Sequence, residues 1–382
     1  MIKTVIIGQG LVATHFAVGL EKLKNNEIED YGIPLRNFIN YKYNDIEIVA
    51  SYDVDENKVG KTIYDIAKTV FPNDTIPSSL KDIVVNRGIH LSSLNNLPFK
   101  AIGREEKIGL KKAMFELIDE WRALNVDVVL NIITTEYAEA FNDLGKLQEA
   151  VEKEKISASQ AYAYTTALYG KLYKPVAFVN CIPTPLANDD AFVKLYENSR
   201  SVIFGDDGAT GATPLTIDIL EHLRERNRRV LDVAQFNIGG NTDFLSLDIP
   251  ERNIMKRITK SSVVKDILGY NVPTYIRPTG YLEPLGDKKF VAMLIEYLSF
   301  NNFKDEIYIV ARINDSPALA GLLVDLVRLG KIALDREIYG TVYEVNAFYM
   351  KKPGPRDSKA IPKIHAYNQL LEWVGLNKLN NS

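Results

Sequence analysis

Residues 4–13 read Thr-Val-Ile-Ile-Gly-Gln-Gly-Leu-Val-Ala, an apolar run that turns at two glycines into a segment with helical spacing. Gly8 permits a tight turn, and Gly10 lets a pyrophosphate approach the backbone. Ala13 permits close packing of helix on strand, and the helix N-terminus supplies N–H donors with a partial positive charge. The spacing G-x-G-x-x-A therefore predicts a strand, turn and helix that bind a dinucleotide.

Strand and helix patterns alternate from this motif onward. The predicted strands are 2–7, 46–52, 127–133, 176–180 and 201–204. The predicted helices are 11–24, 57–70, 111–124, 140–154 and 157–169. Residues 26–45 resemble an insertion, and 72–110 follow no clear period. The alternation predicts an α/β fold, with a doubly wound, mainly parallel sheet of Rossmann type.

The pattern changes beyond residue 205. A helix at 212–227 precedes strand-like segments at 230–238, 288–299 and 304–313, which we expect to pair antiparallel. Helices at 318–334 and 362–373 are expected to pack back on the first sheet. We therefore predict a dinucleotide-binding Rossmann domain, residues 1–207 plus 316–382, with an inserted α+β domain, residues 208–315.

Composition limits the class of protein. The chain has 382 residues, 46% of them hydrophobic and 25% charged, and a formal net charge of −3. These values suit a two-domain globular protein and argue against a nucleic-acid partner. No apolar run reaches the roughly 18 residues of a membrane span, so no membrane partner is expected. A strand pattern at the first residues, without a leader peptide, favours a cytoplasmic location.

The cysteine and the histidines predict neither a disulfide nor a metal site. Cys181 is the one cysteine, so no internal disulfide forms, and its apolar neighbours favour a small buried residue. The four histidines are His15, His90, His222 and His365. None is spaced from another as metal ligands are, so no metal ligands are assigned.

Asp53 is the predicted ribose ligand of the dinucleotide site. It ends the second predicted strand, although the insertion places it farther along than the usual spacing of about 20 residues. An Asp at this place, with no adjacent Arg, favours NAD over NADP. The alternative is a strand-end Asp that caps the next helix, in which case Asp55 is the second choice for the ribose.

Six segments, in the same order, resemble inositol-1-phosphate synthases, especially the shorter bacterial and archaeal form. They are Gly-Asp-Asp-Gly-Ala-Thr-Gly-Ala-Thr (205–213), Phe-Asn-Ile-Gly-Gly-Asn-Thr-Asp-Phe (236–244), Lys-Arg-Ile-Thr-Lys-Ser-Ser-Val (256–263), Gly-Asp-Lys-Lys (286–289), Asn-Asp-Ser-Pro (314–317) and Ala-Phe-Tyr-Met-Lys-Lys-Pro (347–353). Residues 52–55 and 159–164 also match, so the resemblance covers nearly the whole chain and is weakest over 72–110.

The resemblance implies an NAD-dependent, redox-neutral isomerase. Family members cyclise glucose 6-phosphate to 1D-myo-inositol 3-phosphate by C5 oxidation, enolisation, intramolecular aldol closure and re-reduction, so NAD is regenerated in each turnover. It also implies that residues 1–207 plus 316–382 bind NAD and that residues 208–315 form the catalytic and oligomerisation domain. The long strands of that domain would form the subunit contacts of a homotetramer. Some members are activated by metal ions.

Lysines are the expected catalytic residues, because an enolate, an alkoxide and a phosphate need cations in a dry pocket. Lys256 and Lys260 are spaced i, i+4, and the repulsion between them is relieved by an anion. By resemblance, Lys260, Lys289 and Lys351 are catalytic and bind substrate, and Lys256 lies near the nicotinamide. Lysines crowded together lower one another's pKa, so one can transfer protons. Their neighbours, 288 and 352, are expected on the surface.

Residues 210–213 open a predicted helix and are expected to bind the substrate phosphate at its N-terminus. The alternative is a plain N-cap, and Ala209 stands where family members often carry a lysine. The predicted substrate-binding residues are Thr210, Gly211, Thr213 and Asn237. The predicted cofactor-binding residues are Gly8, Gly10, Leu11, Val12, Asp53, Thr134, Asp207, Asn241, Asp243, Asp315 and Ser316. Asp315 also begins a predicted helix, and Asp206 is assigned a structural role.

Two other functions fit the same dinucleotide fold. A conventional NAD-dependent dehydrogenase of a small aldehyde or hydroxy acid would produce NADH in proportion to product, whereas a cyclase would not. A non-catalytic NAD sensor has no need of separated lysines that converge on one pocket. The lysine segments therefore favour the cyclase over the sensor.

Overall fold

A computed structural model describes residues 1–376, apart from the side chains of residues 255–262. Within those residues the strands are β1 (Ile2–Ile7), β2 (Ile46–Asp53), β3 (Val85–Arg87), β4 (Val128–Asn131), β5 (Ala177–Asn180), β6 (Val202–Phe204), β7 (Arg229–Gly239), β8 (Thr274–Tyr281), β9 (Lys288–Leu298) and β10 (Lys304–Asn314). The helices are α1 (Leu11–Lys24), α2 (Ile63–Val70), α3 (Glu105–Ile108), α4 (Leu110–Leu124), α5 (Leu144–Glu152), α6 (Ala158–Leu172), α7 (Asp190–Asn198), α8 (Thr213–Glu225), α9 (Thr242–Ser246), α10 (Pro250–Leu268), α11 (Asp315–Asp335), α12 (Tyr343–Tyr349) and α13 (Lys363–Val374).

The larger sheet is parallel and has the strand order β3-β2-β1-β4-β5-β6. This order confirms the predicted Rossmann-type fold. Strand β1 pairs with β2 on one side and β4 on the other, so the direction of the winding reverses beside it. The crevice at such a reversal, outside the carboxyl ends of the strands, is where α/β sheets bind their ligands.

Both faces of this sheet are covered, because its strands are apolar at consecutive positions. On β1, Ile2 and Ile6 join one core, whereas Val5 and Ile7 join the core on the opposite face. Helices α1 and α11 cover the first face, and α4 and α6 cover the second. The sheet therefore holds the carboxyl end of β1 in a rigid frame.

The smaller sheet has the order β10-β9-β7-β8. Strands β7, β9 and β10 pair antiparallel, as expected, but β8 was not predicted and runs parallel to β7. Such a parallel pair needs a crossover connection, and α9 and α10 supply it. Helices α8 and α10 pack on this sheet around a separate core that includes Ile217, Val263 and Ile295.

Helix α11 returns the chain from the smaller sheet to the larger one. A Cβ built on Gly330 would lie 2.8 Å from the Cβ of Ala177 on β5, so the helix approaches the sheet closely here. The exit and return of the chain support the division into residues 1–207 plus 316–382 and residues 208–315. That division stays a prediction.

Several predicted boundaries were wrong for local reasons. Helix α2 starts at Ile63 rather than near residue 57, because Thr62 and Asp65 form a capping box while the preceding residues turn around Asp55. The stretch 72–110 contains β3 and α3, which are too short to show a period. Helices α7 and α12 were also missed.

Among the described residues, no helix combines the length and apolarity needed to cross a bilayer.

Candidate functional site

The glycine turn after β1 forms one wall of the site. Gly8 has φ +95°, and its N–H donates to the carbonyl of Tyr52 (2.8 Å). A Cβ on Gly8 would lie 2.8 Å from backbone atoms of Ile133, whereas a Cβ on Gly10 would meet nothing within 4 Å. The fold therefore requires Gly8, and Gly10 leaves open backbone at the start of α1. Among the described residues, no side chain caps α1 at Gly10, so its first N–H groups suit an anion.

Asp53 lies beside this turn at the end of β2. Its Oδ2 accepts a hydrogen bond from the N–H of Gln9 (2.7 Å), and its Oδ1 accepts from the N–H groups of Val54 (2.7 Å) and Asp55 (2.8 Å). Lys58 Nζ lies 3.5 Å from Oδ2. The carboxylate thus holds the turns after β1 and β2. It does not cap the next helix, which was the alternative, because Thr62 caps α2. The role of Asp53 toward ribose stays a prediction.

Two adjoining cavities meet at Gly10, Lys58 and Thr134. The smaller, about 690 Å³ including space open to solvent, is lined by Gly8, Asp53 and Asp55 among others. The larger, about 1020 Å³ on the same measure, lies toward α8, α9 and α11. It is lined by these predicted site residues: Gly10, Leu11, Val12, Thr134, Asp207, Thr210, Asn241, Asp243, Lys289, Asp315, Ser316 and Lys351.

Two predicted lysines meet in the larger cavity, each paired with a carboxylate. Lys289 Nζ lies 2.9 Å from Asp315 Oδ2, and Lys351 Nζ lies 3.0 Å from Asp207 Oδ1. Each lysine is only 6% exposed. Charges buried to this extent act far more strongly on a bound ligand than they would in water. The backbone of Lys256 and Lys260 lies in α10, but their side chains fall outside the described residues, so their roles stay predictions.

The predicted phosphate segment lies against Lys289. Gly211 has φ +66°, and a Cβ built on it would lie 2.8 Å from Lys289 Nζ. Thr213 is buried at the first residue of α8 and, like Gly211, is not part of the described cavity lining. The side chain of Asn237 is held within the smaller sheet, where it donates to the carbonyl of Arg277 (3.1 Å). The geometry therefore gives no support to the prediction that Asn237 binds substrate.

Asp206 and Asp207 have different surroundings. Asp206 is buried and accepts hydrogen bonds from the side chains of Asn180 and Asn188 and from the N–H groups of residues 186–188. Burial raises the pKa of Asp206 to about 6, against the lowering effect of those donors. Asp206 holds the loop after β5, whereas Asp207 faces the cavity.

Asp287 was missed as a site residue. Its Oδ1 accepts from Ser316 Oγ (2.6 Å) and Asn241 Nδ2 (3.0 Å), and its Oδ2 accepts from the N–H of Ser316 (2.8 Å). Asp287, which lies two residues before Lys289 in sequence, thereby connects the start of α9 to the start of α11. The family-like segment 286–289 was the available signal for Asp287. Its partners Asn241 and Ser316 lie far from it in the sequence, so these contacts could not be predicted.

Arg252 links the lysine-bearing helix to the loop after β4, and it too was missed. Its guanidinium donates to the carbonyls of Thr135 (2.7 Å) and Asn95 (3.0 Å). Thr135 Oγ1 in turn donates to Asp243 Oδ1 (2.7 Å). Arg252 does not line the larger cavity itself. Among the residues that do, Lys58, Thr135, Cys181 and Thr242 were not predicted as site residues. Cys181 directly follows β5, and its place at a strand's carboxyl end was the available signal.

One group of potential metal ligands occurs in the described part of the chain. Glu221, Glu225 and His365 bring ligand atoms within 4.8 Å of one another, although the sequence separates His365 widely from the glutamates. Both carboxylate oxygens of Glu221 accept hydrogen bonds from Arg224. Because Arg224 already neutralises Glu221, we assign no metal to this group.

Comparisons of the sequence and of the structure with known proteins identify one family. Residues 211–316 match the family described as myo-inositol-1-phosphate synthase. The chain is 54% identical to a myo-inositol-1-phosphate synthase-related protein from Thermotoga maritima, covering 99% of both chains with a TM-score of 0.94. It is 28% identical to inositol-3-phosphate synthase of Mycobacterium tuberculosis, over 98% of this chain and 95% of that protein. An inositol-3-phosphate synthase from Caenorhabditis elegans, at 16% identity, has the same fold, with a TM-score of 0.79 over 97% of this chain and 84% of that one. The chain belongs to the myo-inositol-1-phosphate synthase family.

Proposed function

We propose that this protein is an inositol-3-phosphate synthase, an isomerase that converts glucose 6-phosphate to 1D-myo-inositol 3-phosphate with NAD. The observation that carries the proposal is the pair of buried amines, Lys289 and Lys351, in the cavity that the glycine turn lines. A dehydrogenase of a small alcohol needs one proton acceptor beside the nicotinamide. Several buried cations suit a substrate that carries a phosphate and develops further negative charge during the reaction.

The glycine turn suits NAD. The open backbone at Gly10 leaves space for a pyrophosphate, and the N-terminus of α1 offers it N–H donors. Asp53 stands at the carboxyl end of β2, beside the smaller cavity, where a ribose hydroxyl acceptor is expected. When bound there, NAD would supply reversible hydride transfer at substrate C5. The predicted residues Leu11, Val12, Asp243 and Ser316 line the cavity where the rest of the cofactor would lie.

The cavity lysines bind and polarise the sugar in this proposal. Thr210, which lines the cavity, is assigned to the phosphate, and the amine of Lys289 lies against the next residue, Gly211. A ketone at C5 acidifies the C6 protons, and the resulting enolate oxygen needs a cation nearby. An ammonium has three donors, so Lys289 can keep its bond to Asp315 and donate to a substrate oxygen. Lys351 is assigned the same task for the second oxyanion, which develops at C1 as the ring closes.

The smaller sheet supports the proposed homotetramer. Strand β10 pairs with β9 alone among the described strands. Its side chains Tyr308 and Val310 are 69% and 71% exposed, and Phe300 in the preceding turn is 96% exposed. An edge strand with exposed apolar residues favours association with another chain. A second copy of this chain would bury them.

The stoichiometry of NAD tests the proposed reaction. Cofactor-depleted protein, supplied with NAD far below the sugar concentration, is expected to convert all the glucose 6-phosphate, because each turnover restores NAD. The measurement is inositol phosphate, assayed as phosphate released by periodate, with NADH absorbance recorded in parallel. Conversion that stops after one equivalent of NAD, with matching NADH, would identify a dehydrogenase instead.

Gly211→Ala tests the contact between the phosphate segment and Lys289. The new Cβ would displace the Lys289 amine, so we expect kcat to fall roughly 10-fold or more. The left-handed backbone adds strain of about 1–2 kcal/mol. Gly269→Ala is the matched control, because Gly269 has φ +77° but a Cβ there meets nothing within 4 Å. The control should lose similar stability in thermal unfolding and keep its kcat. Equal kcat in both variants would remove the proposed contact from the mechanism.

A further inference from the structure

Lys363 has a buried amine that no catalytic assignment uses. It is the first residue of α13 and is 7% exposed. Its Nζ donates hydrogen bonds to three backbone carbonyls, those of Ala347 (2.6 Å), Phe348 (3.0 Å) and Met350 (3.1 Å). These are carbonyls of the last turn of α12 and of the residue that follows it. The amine thus reaches from one helix to the end of another.

The arrangement satisfies groups that a helix leaves unpaired. The last carbonyls of a helix lack intrahelical partners and form the negative end of its dipole. An ammonium group has three donors, which equals the number of carbonyls that Lys363 contacts. The backbone N–H of Lys363 donates to Asp218 Oδ1 on α8 (2.9 Å). Lys363 therefore connects the end of α12 to the helix that starts at the predicted phosphate segment.

The residue after these carbonyls is Lys351. Its backbone N–H donates to the carbonyl of Asp207 (2.6 Å), and its Nζ contacts Asp207 Oδ1 (3.0 Å). The Lys351 backbone is thus held from one side by Asp207, while the carbonyl of Met350, one residue earlier, is held by Lys363. A shift in the end of α12 would move the Lys351 amine within the cavity.

We propose that Lys363 is a positioning residue for Lys351, which it places by holding the last carbonyls of α12. This inference rests on the proposed function. It assigns Lys363 no contact with substrate or cofactor, since Lys363 is not among the described residues that line the cavity. Its effect on the reaction should therefore pass through Lys351.

The charge of Lys363 changes near neutral pH. Burial lowers the pKa of Lys363 to about 7, the charge of Asp218 on α8 opposes this shift, and Lys351 adds to it. His365 and Glu221 face Asp218 in turn. Because the folded pKa is below the unfolded value near 10.5, the unfolded chain binds more protons between pH 7 and 10.5. The contribution of Lys363 to folding stability therefore rises with pH across that window, and below it the cost of the buried charge is present in full.

A double-mutant cycle tests the proposal. Lys363→Met is expected to lower kcat roughly 10- to 100-fold, with KM for glucose 6-phosphate within about twofold, since the phosphate segment is untouched. In a Lys351→Met background, the same substitution should produce no further loss. Lys363→Arg, which keeps charge and donors, should recover part of the rate. Lys359→Met, an exposed neighbour, is the control and should match the wild type.

The outcomes separate this inference from the proposed function. A wild-type protein that does not cyclise glucose 6-phosphate refutes the function itself. An active wild type whose Lys363→Met variant keeps its kcat, or loses as much rate in the Lys351→Met background as without it, overturns the positioning role. If Lys363→Met does not fold, Lys363→Gln, which keeps an amide donor, takes its place in the cycle. The thermal midpoint of the wild type should also rise relative to Lys363→Met between pH 7 and 9, and no relative rise would contradict the lowered pKa of Lys363.

Discussion

Replacement of Lys289 by methionine is expected to slow the cyclisation by at least about 100-fold, because it removes a preorganised cation from the developing enolate oxygen. Methionine fills much of the space of the lysine stem, so the cavity keeps its shape. The amine lies beside Gly211 and pairs with Asp315, and neither contact belongs to the glycine turn. Because its partner Asp315 is a predicted cofactor ligand, the affinity for NAD is measured separately, by titration of the cofactor-depleted protein, and kcat is compared at saturating NAD.

Lys288→Met is the matched control. Side chains alternate along β9, so Lys288 is exposed where Lys289 is buried. Its substitution should leave kcat and KM near the wild-type values. The loss of an ion pair also affects stability, so thermal unfolding of Lys289→Met should be measured beside its kinetics. A folded Lys289→Met variant that retains more than about a tenth of the wild-type rate would exclude the main electrostatic role that we assign to this amine.

Gly10→Ala is expected to abolish NAD binding without destabilising the cofactor-free protein. Gly10 has φ −88° and ψ −163°, which alanine adopts without strain, and a Cβ there meets no protein atom within 4 Å. The same methyl group would occupy the space through which a pyrophosphate approaches the backbone. The measurements are the Kd for NAD and the thermal midpoint without NAD.

Gly8→Ala should behave differently. Its φ of +95° and the approach to Ile133 backbone atoms make alanine costly, by about 3 kcal/mol or more from strain and overpacking together. We expect this variant to lose stability even without cofactor. Gly19→Ala, inside α1 with nothing within 4 Å, is the control and should gain about 0.5–1 kcal/mol with unchanged affinity for NAD. If Gly10→Ala still binds NAD normally, the cofactor does not lie along this turn.

Local sequence was enough for the dinucleotide half of the molecule. The bounds of β1 and α1 agree with the prediction, because an apolar run, two glycines and helical spacing act over a few neighbouring residues. The predicted parallel sheet follows from strands that are apolar on both faces. The lysine positions came from the family resemblance. Periodicity alone did not distinguish Lys289 from Lys288.

Short or context-dependent elements were not predictable in this way. Strand β3 has three residues and becomes a strand only because β2 offers it an edge. Strand β8 pairs with β7 through a crossover that local pattern cannot specify. The backbone carbonyls that Arg252 and Lys363 contact could not be predicted either. Every residue has a carbonyl, so residue type does not indicate which carbonyl at a loop or helix end will accept the bond.

The sequence by itself determined that a glycine turn would open a Rossmann-type sheet, and its resemblance to a family predicted site lysines at positions 289 and 351. Backbone torsions and the alternation of apolar residues depend on near neighbours, so they can be derived from order alone. The tertiary structure decided that Lys351 meets Asp207, that Lys289 meets Asp315 against Gly211, and that Lys363 holds the end of α12. The residues in each of these contacts are separated in the chain. They come together because strand order and helix packing bring the loops at the carboxyl ends of the larger sheet near the starts of β9 and α11.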